Sequence, residues 1–301
     1  MSKKDGQSTD MAKRGISLVG IKDKETVERI RKDYPDCYFE LSYMSTPESL
    51  QELLPIIKGR VASIHLLAPV REYFPNLAAE SAYEWSEREI LKDAELALQC
   101  GAENLVLHPG YLVNGLVYST YAKRLPQIQN AGLEKYMLLP EESVCSTEYI
   151  TSELYQKAFD LLLENSLKLT EKIRALGLHL CLENLNPRAG YMILHPDEAI
   201  KLAAAGLDLC VDIGHLQVNA ALFGFDVLTE TKRLLDTGHV KTMHLHSNQS
   251  VYGTFKDSHR SLDCHMPYWQ EVLDYAEAKG ANQILEVLEE PLHNIGLLFQ
   301  R

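Results

Sequence analysis

Eight short apolar runs, spread along the whole 301-residue chain and separated by helix-like segments, constrain its fold more than any other feature. They are ISLVGI (16–21), CYFELSY (37–43), VASIHLL (61–67), NLVLH (104–108), LHLCLEN (178–184), LDLCVD (207–212), VKTMHLH (240–246) and QILEV (283–287). Most are continuous rather than alternating, the pattern of parallel strands buried on both faces. The segments between them carry helix punctuation. Thr46-Pro47 supplies an N-cap and a first-turn proline, Leu50, Leu53, Leu54 and Ile57 form a stripe, and Gly59 closes it. Ser86 and Glu89 have capping-box spacing ahead of a helix running to Cys100. Leu154, Ala158, Leu161, Leu162, Leu169, Ile173 and Leu176 fall on one face of a long helix that Gly177 ends, and Pro196–Gly206 and Pro267–Gly280 repeat the device. This unbroken alternation predicts an α/β fold, a (β/α)8 TIM barrel rather than a doubly wound sheet. With no linker-like shift in composition, one domain is expected over 15–301, after a frayed polar tail at 1–14.

One stretch breaks the rhythm. Residues 110–150 fall between the fourth strand and the next helix, where a connection normally takes a few residues. Four tyrosines between Tyr111 and Tyr136 suggest a lid over the active face rather than a solvated linker. No apolar run approaches the roughly 18–20 residues that span a bilayer, so no membrane partner is expected. The basic N-terminus has no apolar segment behind it, unlike a secretory signal. The six cysteines contain no C-x-x-C pair and suit reduced thiols in a cytoplasm. A net charge of −12 argues against a generally basic nucleic-acid binder, although bound cations can reverse the field over a cleft.

The acid and imidazole side chains fall at one end of this scaffold. His65 lies near the end of the third strand and His108 closes the fourth; Glu183 ends the fifth, and Asp212 the sixth, with His215 one turn on. His244 and His246 end the seventh strand, Asp257 and His259 follow in its loop, and Glu286 ends the eighth. The carboxyl ends of barrel strands are where this fold builds its active sites. An unpaired carboxylate in a buried strand is costly, and clustered carboxylates repel unless cations lie between them. His with Asp and Glu oxygens is a ligand set for zinc, manganese or cobalt. His179, His195, His239 and His293 lie away from this mouth and read as structural or solvent-facing, while His265 lies near the rim.

The motifs LHPG (107–110), LEN (182–184), VDIGH (211–215), MHLHSN (243–248), DSH (257–259) and LEV (285–287) resemble the xylose-isomerase-like TIM-barrel superfamily, and within it the endonuclease IV group of apurinic/apyrimidinic endonucleases. The resemblance spans roughly residues 15–290 and implies a zinc centre of two or three ions. His65 and His108 would hold one ion, with Glu183 bridging to a second held by Asp212, His244 and Glu286. His215, Asp257 and His259 would hold the third. EYFPNLAA (72–79) is similar to the loop with which that group wedges side chains into damaged DNA, which makes Tyr73 and Phe74 candidate substrate contacts, together with Asn184. Basic candidates for phosphate contacts are Arg71, Lys123, Arg124, Lys256 and Arg260. Such a centre would lower the pKa of a bound water and stabilise charge on a phosphodiester, implying a metal-dependent hydrolase of abasic DNA.

The same barrel hosts a second class, sugar or sugar-phosphate isomerases and epimerases. There Glu183, Asp212, His244 and Glu286 would hold a single Mn2+, Co2+ or Mg2+ ion, and Glu183 and Glu286 would act as an acid/base pair on a small sugar. His246 points the same way as His244 and either replaces it as a ligand or touches the substrate. The spacing from His244 to Asp257 favours the endonuclease. The missing glycine-rich turn after Asp-Ser-His and the lengthened step from His108 to Glu183 weaken the DNA inference, and the tyrosine-rich insertion fits the sugar enzyme better. The presence of His65, His108, His215, Asp257 and His259, which one-metal chemistry does not all need, makes the phosphodiesterase-type centre the main reading and the sugar enzyme the alternative.

Overall fold

The computed structural model describes residues 12–21 and 23–300. Eight parallel strands close into a barrel: β1 (Arg14–Ser17), β2 (Tyr38–Leu41), β3 (Val61–His65), β4 (Asn104–Leu107), β5 (His179–Glu183), β6 (Asp208–Asp212), β7 (Val240–Leu245) and β8 (Asn282–Leu285). Each pairs with its neighbours in sequence, and β1 pairs with β8 to complete the ring. The strands are buried almost throughout because helices cover the outer face while the inner face packs on itself. The (β/α)8 expectation holds.

The period of two along each strand sorts the interior into levels. Asn104 donates across the barrel to Thr242 Oγ1 at 2.8 Å. Two residues further along, Val106, Cys181 and Cys210 form a small apolar plug of their own. Beyond it, at the carboxyl end, stand Glu183, Asp212 and His244, with Asp212 and His244 in register. The barrel therefore holds its charged side chains above an apolar floor.

Several boundaries differ from the sequence reading. Residues 1–11 of the expected tail lie outside the described residues, and Arg14 already belongs to β1. The first strand ends at Ser17, where the Ser17 side chain caps a single 3-10 turn, Leu18–Gly20. A Cβ on Gly20 would lie 1.9 Å from the Val287 carbonyl oxygen, so the chain turns where only glycine fits. Ser86 and Glu89 are not a capping box: the helix already starts at Glu80, and the buried Ser86 hydroxyl donates to the Ala82 carbonyl inside it. In the Glu153–Ala175 helix the buried face is carried by Tyr155, Phe159, Leu162, Leu169 and Ile173, while Leu154 and Leu176 are exposed. The expected Thr46 cap is present, sharing a reciprocal capping box with Ser49.

The 110–150 insertion is folded and tied to the barrel's rim. Val117–Tyr118 pairs antiparallel with Tyr73–Phe74. A helix, Tyr121–Gln129, follows, and then a small hairpin of Met137–Leu139 with Val144–Cys145. Bridges from Tyr111 to Tyr191 and from Val144 to Arg188 bind this segment to the loop after β5. No helix among the described residues is long and apolar enough to cross a membrane. All six cysteines are free.

Candidate metal centre

Three histidines at the carboxyl end have one ring nitrogen already committed, which fixes where the other points. His215 Nδ1–H donates to the Asn184 carbonyl at 2.9 Å, leaving Nε2 at 3.0 Å from Asp257 Oδ2. His259 Nδ1–H donates to the Glu286 carbonyl at 2.7 Å, leaving Nε2 at 3.3 Å from Asp257 Oδ2. His244 Nε2 is 3.1 Å from Glu40 Oε2, which turns Nδ1 toward Glu183 Oε1 at 3.1 Å and Glu286 Oε2 at 3.4 Å. This is the arrangement by which proteins orient imidazoles for a metal: one nitrogen anchored to an acceptor, the other presented.

The presented atoms gather into overlapping sets in which every donor lies within 4.8 Å of the others: His65, His108 and Glu183; His65, His244 and Glu286; Glu183, Asp212, His244 and Glu286; and His215, His246, Asp257 and His259. All nine residues expected as ligands occur among them, and His246 joins the last set. Glu183 Oε2 lies 3.1 Å from His65 Nε2 and 3.3 Å from His108 Nε2, while its Oε1 lies 3.1 Å from His244 Nδ1, so it faces two sets at once. His246 Nε2 meets Asp212 at 3.0 Å, and its ring stacks on His259 with centroids 3.8 Å apart.

Two of these buried polar atoms lack hydrogen-bond partners, His65 Nδ1 and His246 Nδ1. Orphaned donors and acceptors of this kind are costly in a protein interior unless something satisfies them. The donor chemistry and the convergence fit divalent cations, whose bonds to nitrogen and oxygen run about 2.0–2.2 Å for zinc.

The electrostatics of the cluster are dense. Burial alone pushes the Glu183 carboxyl up, but His244, His108 and His65 around it hold it well below the usual range. Burial pushes His108 down to about 4 despite the neighbouring Glu183, which favours the neutral, lone-pair-bearing imidazole. His259 goes the other way: burial opposes its charge, yet Asp257 beside it raises it to about 10. His259 also holds a left-handed backbone at φ 46°, uncommon for a residue with a side chain.

Above the cluster lies a cavity of about 220 Å3. Its floor includes His108, His215, Asp257, His259 and Glu286; Tyr43, Phe74, Tyr191 and Asn186 make its walls, with Tyr121 and Arg124 from the insertion and Arg188 from the loop after β5. A larger hollow of about 740 Å3, around Arg14, Tyr38 and Arg60, contains none of these ligands.

The other candidate contacts sit differently. Phe74 is buried, packed against Tyr43, Tyr111 and His108, and the partly buried Tyr73 packs on Tyr118 and Trp85. Neither projects as an exposed wedge, because the insertion's strand pairs with theirs. Arg71 is committed to Glu89 at 3.2 Å and Asp93 at 2.6 Å. Arg260 pairs with Glu289, and Lys256 is exposed. The Asn184 amide bridges to β6, donating to the Asp212 carbonyl and accepting its N–H. The sequence reading passed over Glu40, Tyr43, Tyr191, Asn186 and Arg188. An acidic residue inside the apolar run CYFELSY was the one available signal for Glu40.

The family model for the xylose isomerase-like TIM barrel matches residues 25–296. The chain belongs to that family. No curated protein matches it in sequence. Among solved structures it is similar to a D-tagatose 3-epimerase-like protein, at 17% identity and TM-score 0.65, with 96% of each chain covered. It is also similar to the 3-keto-D-glucoside 4-epimerase of E. coli, at 12% identity and TM-score 0.58, covering 96% of this chain and all of that one. An L-ribulose 3-epimerase has 17% identity and TM-score 0.58, with 97% and 87% covered. At these identities the likeness is one of fold, and it extends over nearly the whole barrel.

Proposed function

We propose that this member of the xylose isomerase-like family is a divalent-metal-dependent epimerase or isomerase of a small sugar or sugar phosphate. The observation that carries this reading is the cavity of about 220 Å3 over the carboxylate and histidine cluster, walled by residues of the insertion and by aromatic side chains. Its size suits a small polyol, and its walls are the insertion and the aromatic residues that a duplex would have to displace. The sugar epimerases among its structural neighbours support the same choice. Abasic-DNA hydrolysis, favoured by the His244–Asp257 spacing, loses ground for two reasons. The Tyr73–Phe74 segment is packed away, and Arg71 and Arg260 are already ion-paired.

Glu183, Asp212, His244 and Glu286 would hold the cation, with His65, His108, His215, His246, Asp257 and His259 able to hold others. A bound divalent ion would supply polarisation of a carbonyl and its neighbouring hydroxyl, which makes the adjoining C–H more acidic. Glu286 reaches the cavity floor and is placed to take that proton. Glu183, 3.1 Å from the same His244 Nδ1 that lies 3.4 Å from Glu286, would be the second member of the pair and, once protonated, would return a proton to the opposite face, which inverts the carbon. Phe74, Tyr43 and Tyr191 keep water from the exposed carbanionic character.

The test is proton exchange. The Mn2+-, Co2+- and Zn2+-loaded protein, incubated in D2O with a panel of ketoses and ketose phosphates, should place deuterium next to the carbonyl and form the epimer or isomer. Glu183→Gln and Glu286→Gln should each lower that rate by about 100-fold or more, the scale of a lost acid or base. If no sugar exchanges while the zinc-loaded protein nicks a duplex at an abasic site, the hydrolase reading replaces this one.

A further inference from the structure

Arg124 is a buried cation with no anion beside it. One guanidinium nitrogen donates to the Tyr118 and Ser119 carbonyls at 3.2 and 3.0 Å, while its buried Nε has no partner. Its charge lies 5.0 Å from the centroid of Phe74 and 5.7 Å from that of Tyr121. Arg188, from the loop after β5, lies 5.9 Å from the same Tyr121 ring and donates to the Glu142 carbonyl. No aspartate or glutamate among the described residues pairs with either arginine, whereas Arg71 nearby holds two carboxylates. Both arginines line the cavity whose floor is the metal-ligand cluster. A buried guanidinium whose company is carbonyls, aromatic faces and the Tyr191 hydroxyl, with no carboxylate among them, is poorly compensated, and its planar fork matches the paired oxygens of phosphate or carboxylate.

We propose that Arg124 and Arg188 form an anion subsite, so that the substrate is a sugar carrying a phosphate or a carboxylate rather than a neutral sugar. This rests on the epimerase reading for the reacting end of the molecule. The anionic group docks between the two arginines under Tyr121, and the carbon chain runs down toward Glu286. The acidic chain as a whole repels such a ligand, so a local cationic pair at the mouth is what admits it. Arg124 enters the cavity on the Tyr121–Gln129 helix, which gives the insertion a role in substrate selection.

Calorimetric titration of the Mn2+-loaded protein tests this with D-fructose, D-fructose 6-phosphate, D-galacturonate and inorganic phosphate. At least one anionic sugar should bind about tenfold or more tighter than fructose, and inorganic phosphate should compete with it. Whichever of the phosphorylated and carboxylated sugars binds tighter identifies the group. Arg188→Gln and Arg124→Gln should each erase most of that preference, read as the ratio of anionic-sugar to fructose affinity, and Arg124→Lys should keep part of it. Arg188 is only partly buried, so its variant reports even where Arg124→Gln fails to fold. Equal binding of fructose and both anionic sugars overturns the subsite. So does a preference that survives in the arginine variants, since the anion then sits on the metal. A preference lost with the arginines, but without deuterium exchange, upholds the subsite and overturns the epimerase reading instead.

Discussion

Glu40 shares the barrel interior with His244 and leaves that imidazole a single nitrogen with which to meet a cation. The Ser63 hydroxyl donates to the same carboxylate oxygen at 2.7 Å, so the acceptor itself is held in place. Removing it should free the ring to rotate. Glu40→Ala is therefore expected to weaken metal binding by about 10- to 100-fold, the range seen when partners behind a ligand are lost. Glu40→Gln, which keeps an acceptor oxygen, should weaken it less. Competition against a fluorescent chelator measures this, and wild-type affinity in Glu40→Ala would remove the positioning role. The same residue marks a limit of the sequence. Glu183 and Glu286 stand out because each is followed at once by a strand end, whereas Glu40 is followed by Leu-Ser-Tyr and reads as one polar position in a strand. Its partner lies 204 residues away, and only the closed ring brings β2 opposite β7. Arg188 escaped notice for a similar reason: its place at the cavity depends on the bridge between the insertion and the loop after β5.

Where β6 passes into the Ile213–Phe223 helix, three demands meet within four residues. Asp212 caps the helix by accepting the His215 N–H at 2.7 Å while its carboxylate also meets His246. Gly214 lets the first turn pass under the His246 ring, since a Cβ there would lie 2.0 Å from the imidazole. That ring is fully buried and stacked on His259, so it has nowhere to yield. Gly214→Ala should cost about 1–3 kcal/mol of stability, as overpacking does, and should lower metal stoichiometry at the His215, His246, Asp257 and His259 set. Elemental analysis and a thermal melt of the metal-free protein separate the two effects; an unchanged metal count would mean that the helix start, and not His246, absorbs the methyl. The eight strands were legible because parallel strands covered on both faces read as mostly continuous apolar runs. Elements whose start carries no side-chain signal were not. The Glu80–Cys100 helix begins after Ala79 with no capping side chain, so the reading slid to Ser86. The Tyr121–Gln129 helix also lacks a cap and contains Pro126, which in a sequence reads as a breaker.

Across the whole molecule the two ends of the barrel do separate work. The carboxyl end gathers acids and imidazoles that face one another, while the amino end pairs its acids with lysines and arginines. Asp208, at the amino end of β6, lies 3.1 Å from an Arg174 nitrogen and 3.0 Å from His179 Nδ1, with His239 and Lys241 at 3.5 and 4.0 Å. Burial opposes its charge, but the hydrogen bonds from His179 and Arg174 and the charge of Lys241 bring its carboxyl down to about 2. An unfolded aspartate titrates near 3.9. Between those values the unfolded chain binds the proton first. The stabilisation from ionised Asp208 is therefore complete above about pH 4 and is lost as the pH falls toward 2. Asp208→Asn should accordingly unfold at lower urea than wild type at pH 7. The gap between the two should narrow as the pH drops from 5 to 3, while at pH 7 the metal content and sugar binding at the far end should match wild type. A gap of constant size over that range would mean that the carboxylate's charge contributes nothing and that only its packing matters. A change in metal affinity would mean that the apolar plug of Val106, Cys181 and Cys210 does not isolate the two ends.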